Sequence, residues 1–320
     1  MSLYLFPKTL NINFIGRRMI WIALASGLVI LSLFKAFSGG VNLGIDFKGG
    51  FVINIRTAEK ANLEDLRKTL NGLELGDITP QEVGKDGRDV LIKVEKQPGD
   101  DKAQNAALQK IKAALGPTVE YRSVDTVGPK ASETLIKNGT QAVLLSLLAM
   151  LVYVAFRFEW RFGVCAIIAL LHDALAVIGF YALTGLEFNM PAILAILITI
   201  GYSINDTVVI FDRVRENLYK YKEMDMSALV NLSINETLSR TVITSGTTLL
   251  SLLALYLFGG DVISTYSLPI LVGVTFGTYS SIFVSGPLLS YFDIRKMIEK
   301  DEPEQEPLVV EDEIEATEEK

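Results

Sequence analysis

The sequence predicts a polytopic α-helical membrane protein with six transmembrane helices and one α+β domain between the first and second helices. Two observations lead to this prediction: six long apolar runs, and one highly charged stretch that separates the first run from the other five. The chain of 320 residues is 50% hydrophobic and 21% charged. This mixture is too apolar for an ordinary soluble enzyme and too charged for a chain that lies wholly in the membrane.

The apolar runs are long enough to cross a bilayer, which takes about 20 mostly apolar residues. They occupy residues 19–37, 135–156, 162–183, 192–211, 241–258 and 268–292. The first run lacks a small-residue cleavage site, so we interpret it as an uncleaved anchor and not as a signal peptide. Six crossings place both termini on the same side of the membrane.

The distribution of Lys and Arg predicts which side that is. Basic residues lie before the first run, between the second and third, between the fourth and fifth, and after the sixth. The two other short loops, 184–191 and 259–267, contain no Lys or Arg. Because positive charge collects in cytoplasmic loops, we expect both termini to be cytoplasmic.

The charged stretch, residues 39–133, is then extracytoplasmic. Its strand and helix patterns alternate in the order β-α-β-β-α-β, at 51–57, 63–73, 78–83, 90–94, 103–115 and 118–127. This order is typical of a ferredoxin-like domain. We find no carboxylate pair, nucleophile or glycine-rich phosphate loop in it, so we interpret it as a binding or mechanical element.

The remaining segments complete the predicted organisation. Residues 1–18 form a cytoplasmic N-terminus, 19–38 the first transmembrane helix, and 134–292 the other five helices. Within the latter, 212–240 is a cytoplasmic segment that we expect to be helical and to lie along the membrane surface. Residues 293–320 form an acidic cytoplasmic tail; its last twenty residues contain ten acidic residues and one lysine, which predicts a solvated, disordered segment.

Composition also excludes several kinds of site. One cysteine cannot form a disulfide within the chain, and one histidine with one cysteine cannot build a Cys/His metal cluster. We therefore expect no metal and no bound cofactor, and we find no support for a soluble or metal-dependent enzyme or for a nucleic-acid partner.

Insertion of a charged side chain at the centre of a transmembrane helix costs about 2.5–3.5 kcal/mol of free energy, so each such residue requires a structural or functional explanation. Asp206 lies in the inner half of the fourth run, and Arg240 begins the fifth at its cytoplasmic end. Because these runs are antiparallel, we expect the two side chains to be neighbours. The pattern leaves two hypotheses open: a static ion pair between helices, or a carboxylate that changes its protonation state when its neighbour moves.

Other polar side chains fall within the runs. Those near the pair are candidates for supporting it or for lining a water-filled crevice: Ser203, Asn205, Thr207, Thr244 and Thr247. His172 and Asp173 lie near the middle of the third run. We favour a buried carboxylate that is satisfied by hydroxyl or amide groups of adjoining helices, with a role in proton transfer as the alternative.

Four motifs resemble one known family. They are VNLGIDFKGG at 41–50, LHD at 171–173, IGYSINDTVVIFDRVREN at 200–217, and SRTVITSGTT at 239–248 followed by YLFGG at 256–260. In this order, with six runs and one outer domain, they resemble the SecF family, the smaller subunit of the SecDF protein-export complex. The resemblance covers residues 15–295 and leaves out the acidic tail.

The resemblance implies membership of the resistance-nodulation-division superfamily and a location in the bacterial inner membrane. It implies that SecD is a partner that completes a twelve-helix unit. The pair would use the proton-motive force, with protons as the coupling ion, to promote translocation and release of preproteins on the outer side, after the SecYEG channel with SecA has carried them across. The resemblance further implies contact with membrane lipid and the role of an accessory subunit and not of an enzyme.

The resemblance also implies roles for residues. Asp206 matches an aspartate assigned to proton transfer, and Arg240 matches an arginine assigned to controlling it. The signature at the outer membrane face corresponds to Gly44, Asp46, Lys48, Gly49 and Gly50, for which it suggests a hinge or junction. It leaves the roles of His172 and Asp173 open.

Two other functions remain as alternatives. The first is a proton-driven exporter of small molecules from the same superfamily, although one outer domain of about ninety residues looks too small to enclose a substrate pocket. The second is a passive scaffold that stabilises SecD or the SecYEG channel.

Overall fold

The computed structural model describes residues 11–76, 78–83, 86–99, 101–116, 119–292 and 294–295. Within them, six helical segments are long and apolar enough to cross a membrane, and these fit the predicted polytopic helical membrane protein. The predicted acidic tail lies outside the described residues, except for 294–295.

Helices and strands occupy most of the described residues. They are a 3-10 turn Ile15–Arg17, α1 Arg18–Ser38, α2 Ile45–Lys48, β1 Gly50–Thr57, α3 Leu63–Asn71, β2 Ile78–Val83, β3 Asp89–Glu95, α4 Asp101–Leu115, β4 Val119–Val127, α5 Pro129–Arg157, α6 Trp160–Thr184, α7 Met190–Lys220, α8 Met226–Phe258, α9 Gly260–Ser280, a π-helical turn Ser281–Ser285, and α10 Gly286–Leu289.

Helices α6, α7 and α9 form the centre of the membrane bundle. The most apolar stretch of α6 is 67% buried and those of α7 and the sixth span are 50% buried, against 11% for the other three spans. Glycines allow α9 to approach α7 closely, because a Cβ atom on Gly273 would lie 1.8 Å from Thr199 Oγ1. The polar residues of these three helices are therefore held close together.

The domain between α1 and α5, which we call the outer domain after its predicted position, contains a four-stranded antiparallel sheet with the strand order β2-β3-β1-β4. Its elements run β-α-β-β-α-β along the chain, which is the predicted order. Alternate residues of β1 and β3 point to one face and form a core with α3 and α4; examples are Phe51 and Ile53 of β1, Ile92 of β3, and Ile111 of α4. One face of the sheet is thus covered by both helices.

The segment 212–240 is helical, as predicted, on both sides of a turn at residues 221–225, and its helical parts are the ends of α7 and α8. It has no helix of its own, because α7 continues to Lys220 and α8 begins at Met226. Its polar residues bond to one another across the two helices: Glu236 accepts hydrogen bonds from Arg213 Nε at 2.6 Å and from Asn217 Nδ2 at 2.7 Å. These contacts let both spanning helices extend beyond their apolar runs.

Candidate functional site

Asp206 is buried where α7, α8 and α9 meet, with 3% of its surface exposed. Its carboxylate Oδ2 accepts a hydrogen bond from Ser245 Oγ of α8 at 3.3 Å, and Ser245 Oγ accepts one from Thr278 Oγ1 of α9 at 2.9 Å. Asp206 on one helix is therefore connected through two hydroxyl groups to both neighbours.

Arg240 does not form an ion pair with Asp206. In the described parts of the chain, no Arg240 nitrogen lies within 4.0 Å of a carboxylate oxygen. Its side chain is exposed, and its positive charge acts on Asp206 only through space. The hypothesis of a static ion pair is thus wrong for this conformation.

The reason lies in the rotation of α8. Ser245 follows Arg240 by five positions, and at 3.6 residues per turn the two side chains leave the helix about 140° apart. Only one of them can point at Asp206, and that one is Ser245. Ser245 lies in the hydroxyl-rich run 241–248 but was not among the predicted site residues, because the sequence of this run does not show which of its residues faces inward.

The candidate residues around this pair fall into two groups. Thr244 and Thr247 donate to backbone carbonyls of their own helix, and Asn205 is exposed. None of these three side chains has a described hydrogen bond with Asp206. Ser203 and Thr207 are buried and face α9. Thr207 Oγ1 lies 2.9 Å from Ser281 Oγ, in the π-helical turn.

Ser203 belongs to a second buried site, centred on Asp173 of α6. Asp173 Oδ2 accepts hydrogen bonds from Ser203 Oγ at 2.6 Å and Ser280 Oγ at 2.8 Å. Asp173 Oδ1 lies 3.0 Å from Nδ1 of His172. Serine hydroxyls of adjoining helices thus satisfy the buried carboxylate, in the way that the sequence led us to favour.

The outer signature joins the outer domain to the start of α7. Asp46 Oδ2 accepts a hydrogen bond from the backbone N–H of Met190, the first residue of α7, at 2.8 Å. The Gly44 N–H donates to the Phe188 carbonyl at 3.1 Å. A Cβ atom on Gly44 would overlap the Asn189 side chain, at 1.4 Å from its Oδ1. Asp46 therefore caps the helix that carries Asp206.

The rest of the signature shapes this junction. Gly49 and Gly50 have φ angles of 76° and 124°, which favour glycine. The exposed Lys48 lines a cleft between the outer domain and the segment 42–45. An ion pair between Lys93 of β3 and Glu187, in the loop before α7, crosses the same cleft.

The described residues contain no group of three or more His, Cys, Asp or Glu side chains arranged to hold a metal ion. The buried Asp and His side chains of the described bundle are Asp173, Asp206 and His172, and hydroxyl groups lie beside them. Such groups bind and pass protons.

Comparisons with known proteins agree on one family. A model described as protein export membrane protein SecD/SecF, C-terminal, matches residues 107–295. Protein translocase subunit SecF of Rickettsia prowazekii (strain Madrid E) is 42% identical over 296 residues, which cover 92% of this chain and 95% of that protein. Protein translocase subunit SecF of Rickettsia felis is 43% identical over 305 residues, covering 93% and 97%.

Two solved structures are also similar. The crystal structure of SecDF, a translocon-associated membrane protein from Thermus thermophilus, matches 93% of this chain with a TM-score of 0.77 and 38% identity. SecDF in its Super-membrane-facing form matches 94%, with a TM-score of 0.67 and 38% identity. This chain covers 40% and 41% of those two chains, so it spans less than half of their length. From the family model and the extent of these similarities, the chain belongs to the SecF family of protein translocase subunits.

Proposed function

We propose that this chain is the SecF half of a membrane complex that uses the proton-motive force to promote preprotein translocation and release on the outer side. Its relatives are named protein translocase subunits, and the solved SecDF is described as translocon-associated. Because this chain spans 40% of that SecDF, a SecD-type partner would supply the remainder and complete a twelve-helix unit. The chain acts as an accessory subunit and not as an enzyme.

The observation that carries the proposal is the environment of Asp206. The carboxylate is buried, has one hydroxyl donor among the described residues, and has a cation that is near but not in contact. A carboxylate with so few fixed partners changes its protonation state when one of them moves. A tightly paired carboxylate would stay charged.

Proton transfer would drive the following cycle. A proton that enters from outside neutralises Asp206 and weakens its attraction to Arg240. Helices α7 and α8 then move apart, and loss of the proton to the cytoplasm restores the first arrangement. One elementary charge that crosses 100 mV supplies about 2.3 kcal/mol, which is enough to bias a two-state element.

Asp46 connects this cycle to the outer domain. The carboxylate holds the first turn of α7, and Asp206 lies on the same helix. A shift of α7 along its axis would therefore displace the segment 42–50, from which β1 leaves directly. We assign the outer domain a ferredoxin-like fold and an extracytoplasmic position; the strand order and the placement of α3 and α4 on one face support the fold.

The remaining parts of the proposal concern location and partners. The basic loops favour cytoplasmic termini in a bacterial inner membrane. The complex would act beside the SecYEG channel and SecA, and its outer domains would contact the emerging preprotein. Three of the six spans bury only 11% of their apolar stretches, which leaves surface for lipid and for SecD.

The test is protein export in cells that depend on this copy. Asp206→Asn keeps the size of the side chain and its ability to accept a hydrogen bond from Ser245, but it cannot lose a proton. We expect export of a secreted reporter to fall at least tenfold. Glu223→Gln, which neutralises an exposed carboxylate in the turn between α7 and α8, is the matched control and leaves export unchanged.

The alternatives give other results. A passive scaffold predicts that export is normal in Asp206→Asn and is lost only on deletion. A small-molecule exporter predicts normal export after deletion, together with increased sensitivity to toxic compounds. Either result would contradict the proposed function.

A further inference from the structure

The second buried site of the bundle has features that a simple structural contact does not need. His172 and Asp173 are 5% and 0% exposed, near the middle of α6. Asp173 receives its hydrogen bonds from three helices: from His172 on α6, Ser203 on α7 and Ser280 on α9. The other imidazole nitrogen, Nε2 of His172, is buried and has no hydrogen-bond partner among the described residues.

The positions of the protons follow from this geometry. Both serine hydroxyls donate to Oδ2 of Asp173, so Oδ1 is the oxygen that faces the imidazole. Two bare acceptors would repel one another at 3.0 Å, so one proton lies between Oδ1 and Nδ1. With this single proton the pair has a net charge of −1, which is costly in a membrane interior.

We propose that His172 and Asp173 together form a second proton-binding site, which takes up its exchangeable proton at Nε2 of His172. In this step one proton binds to Nε2 of His172, and the proton on Nδ1 passes to Oδ1 of Asp173. The net charge of the pair changes from −1 to zero. No other reactant is needed. The unpartnered Nε2 is the atom at which the proton enters and leaves.

Few other charges face the pair. Helices α1, α5, α7 and α9, the π-helical turn and α10 all pack against α6. The charged residues of α1 lie at its ends, and α10 and the π-helical turn have no ionisable side chain. Helix α9 contributes the ring of Tyr279, whose centroid is 6.3 Å from that of His172. On α7 the ionisable residues nearest to Ser203 along the chain are Tyr202, whose hydroxyl donates to Thr248 Oγ1 of α8 at 3.3 Å, and Asp206. On α5 the ionisable residues are Lys130, Glu133, Lys137, Tyr153 and Arg157. None of these side chains on α5 or α7 has a described hydrogen bond or ion pair with His172 or Asp173.

Hydroxyl groups connect this site to Asp206. Ser203, which donates to Asp173, precedes Asp206 by three residues, or about 4.5 Å along α7. The Ser203 carbonyl accepts a hydrogen bond from Ser281 Oγ at 3.1 Å, and Ser281 also contacts Thr207, the residue after Asp206. These contacts lie at the π-helical turn, an irregularity that is frequent at functional sites. A change of charge at Asp173 therefore acts on the helix that carries Asp206.

The test uses the fact that His172 is the only histidine of the chain. The full chain, with a purification tag that contains no histidine, is labelled with nitrogen-15 histidine, reconstituted with its SecD partner made without label, and studied by solid-state NMR in lipid bilayers. We expect the Nε2 signal to move from the position of an unprotonated ring nitrogen to that of a protonated one as the pH falls from about 8 to about 5. In Asp173→Asn, which retains an acceptor for both serines, we expect the midpoint of this change to shift.

A signal that shows one protonation state at every pH would overturn the proposal, because His172 would then be a fixed structural contact. A midpoint that is unchanged in Asp173→Asn would also overturn it, because the two residues would not share a site. This measurement does not depend on the proposed function. It decides the proton site even if Asp206→Asn has no effect on export.

The role of the site in transport does rest on the proposed function, and proton flux into liposomes tests it. His172→Gln keeps an N–H group that can donate to Asp173 but cannot take up a second proton. We expect its flux to fall at least tenfold and its pH profile to flatten. Flux and pH profile equal to those of the unchanged chain would overturn the coupling while leaving the role of Asp206 intact.

Discussion

At the scale of single residues, the arrangement around Asp206 depends on which way each side chain leaves its helix. The sequence placed an acid and a base in neighbouring runs, and a direct pair was the simplest expectation. In the structure Ser245 faces the carboxylate and Arg240 does not. Helix rotation decides this, and it is set by packing across the whole bundle, so the composition of the run 239–248 alone could not show it.

This geometry predicts that the charge of Arg240 matters more than its shape. An arginine in a two-point contact with a carboxylate cannot be replaced by lysine without loss, whereas a cation that acts through space can be. We therefore expect Arg240→Lys to keep most of the export activity and Arg240→Gln to lose at least tenfold. Export of a secreted reporter in cells measures both.

Arg215→Gln is the control, since it removes a positive charge whose described contact is a hydrogen bond of 3.4 Å to the Arg157 carbonyl. We expect it to retain normal export. If Arg240→Lys were as defective as Arg240→Gln, Arg240 would need its guanidinium geometry, and the through-space role would be wrong.

At the scale of elements, hydropathy predicted the six spans and periodicity predicted the strands and helices of the outer domain, because both signals are local. The ends of α7 and α8 were less predictable. Residues such as Arg213 and Glu236 look like loop residues by polarity, yet they pair across the two helices and extend them. The π-helical turn at 281–285 likewise has no signature that we recognised in the sequence.

The close approach of α7 and α9 gives a prediction on stability. In Gly273→Ala the new Cβ atom would lie 1.8 Å from Thr199 Oγ1, so the helices must separate. Overpacking of this kind costs about 1–3 kcal/mol, and we expect a lower midpoint of thermal unfolding. Thr199→Ala removes the closest atom, so the double variant should recover part of the loss.

Gly201→Ala is the matched control on α7, because no atom of the described residues lies within 4 Å of the position of its Cβ atom. Its unfolding midpoint should equal or exceed that of the unchanged chain. Equal midpoints for Gly273→Ala and Gly201→Ala would show that the two helices are not in close contact at Gly273.

At the scale of the whole molecule, the membrane bundle and the outer domain meet at the segment 42–50. The resemblance indicated a junction there, and the structure adds its chemistry: Asp46 caps α7 although 144 residues separate it from Met190. No local pattern shows a contact between residues so far apart. This junction connects the helix of Asp206 to the sheet, beside the ion pair between Lys93 of β3 and Glu187.

Removal of the cap should loosen that connection. Loss of a hydrogen bond that caps a helix N-terminus costs about 1 kcal/mol, so in Asp46→Ala the first turn of α7 should exchange its amide hydrogens about fivefold faster. Hydrogen exchange followed by mass spectrometry on peptides that cover 188–200 measures this change. Export should fall in the same variant.

Asp46→Asn is the control, because asparagine caps helices as well as aspartate does. We expect its exchange and export to be close to those of the unchanged chain. Unchanged exchange in Asp46→Ala would mean that the contact with Met190 does not hold the helix, and the proposed connection between the proton site and the outer domain would fail.

The central claim is that Asp206 carries the proton whose passage drives the complex, and proton flux tests it most directly. The chain and its SecD partner are reconstituted in liposomes containing a pH-sensitive dye, and a pH difference and a membrane potential are applied. We expect flux through the unchanged complex and through Glu223→Gln, and at least a tenfold lower flux through Asp206→Asn. Equal flux through Asp206→Asn and the unchanged complex would contradict the account.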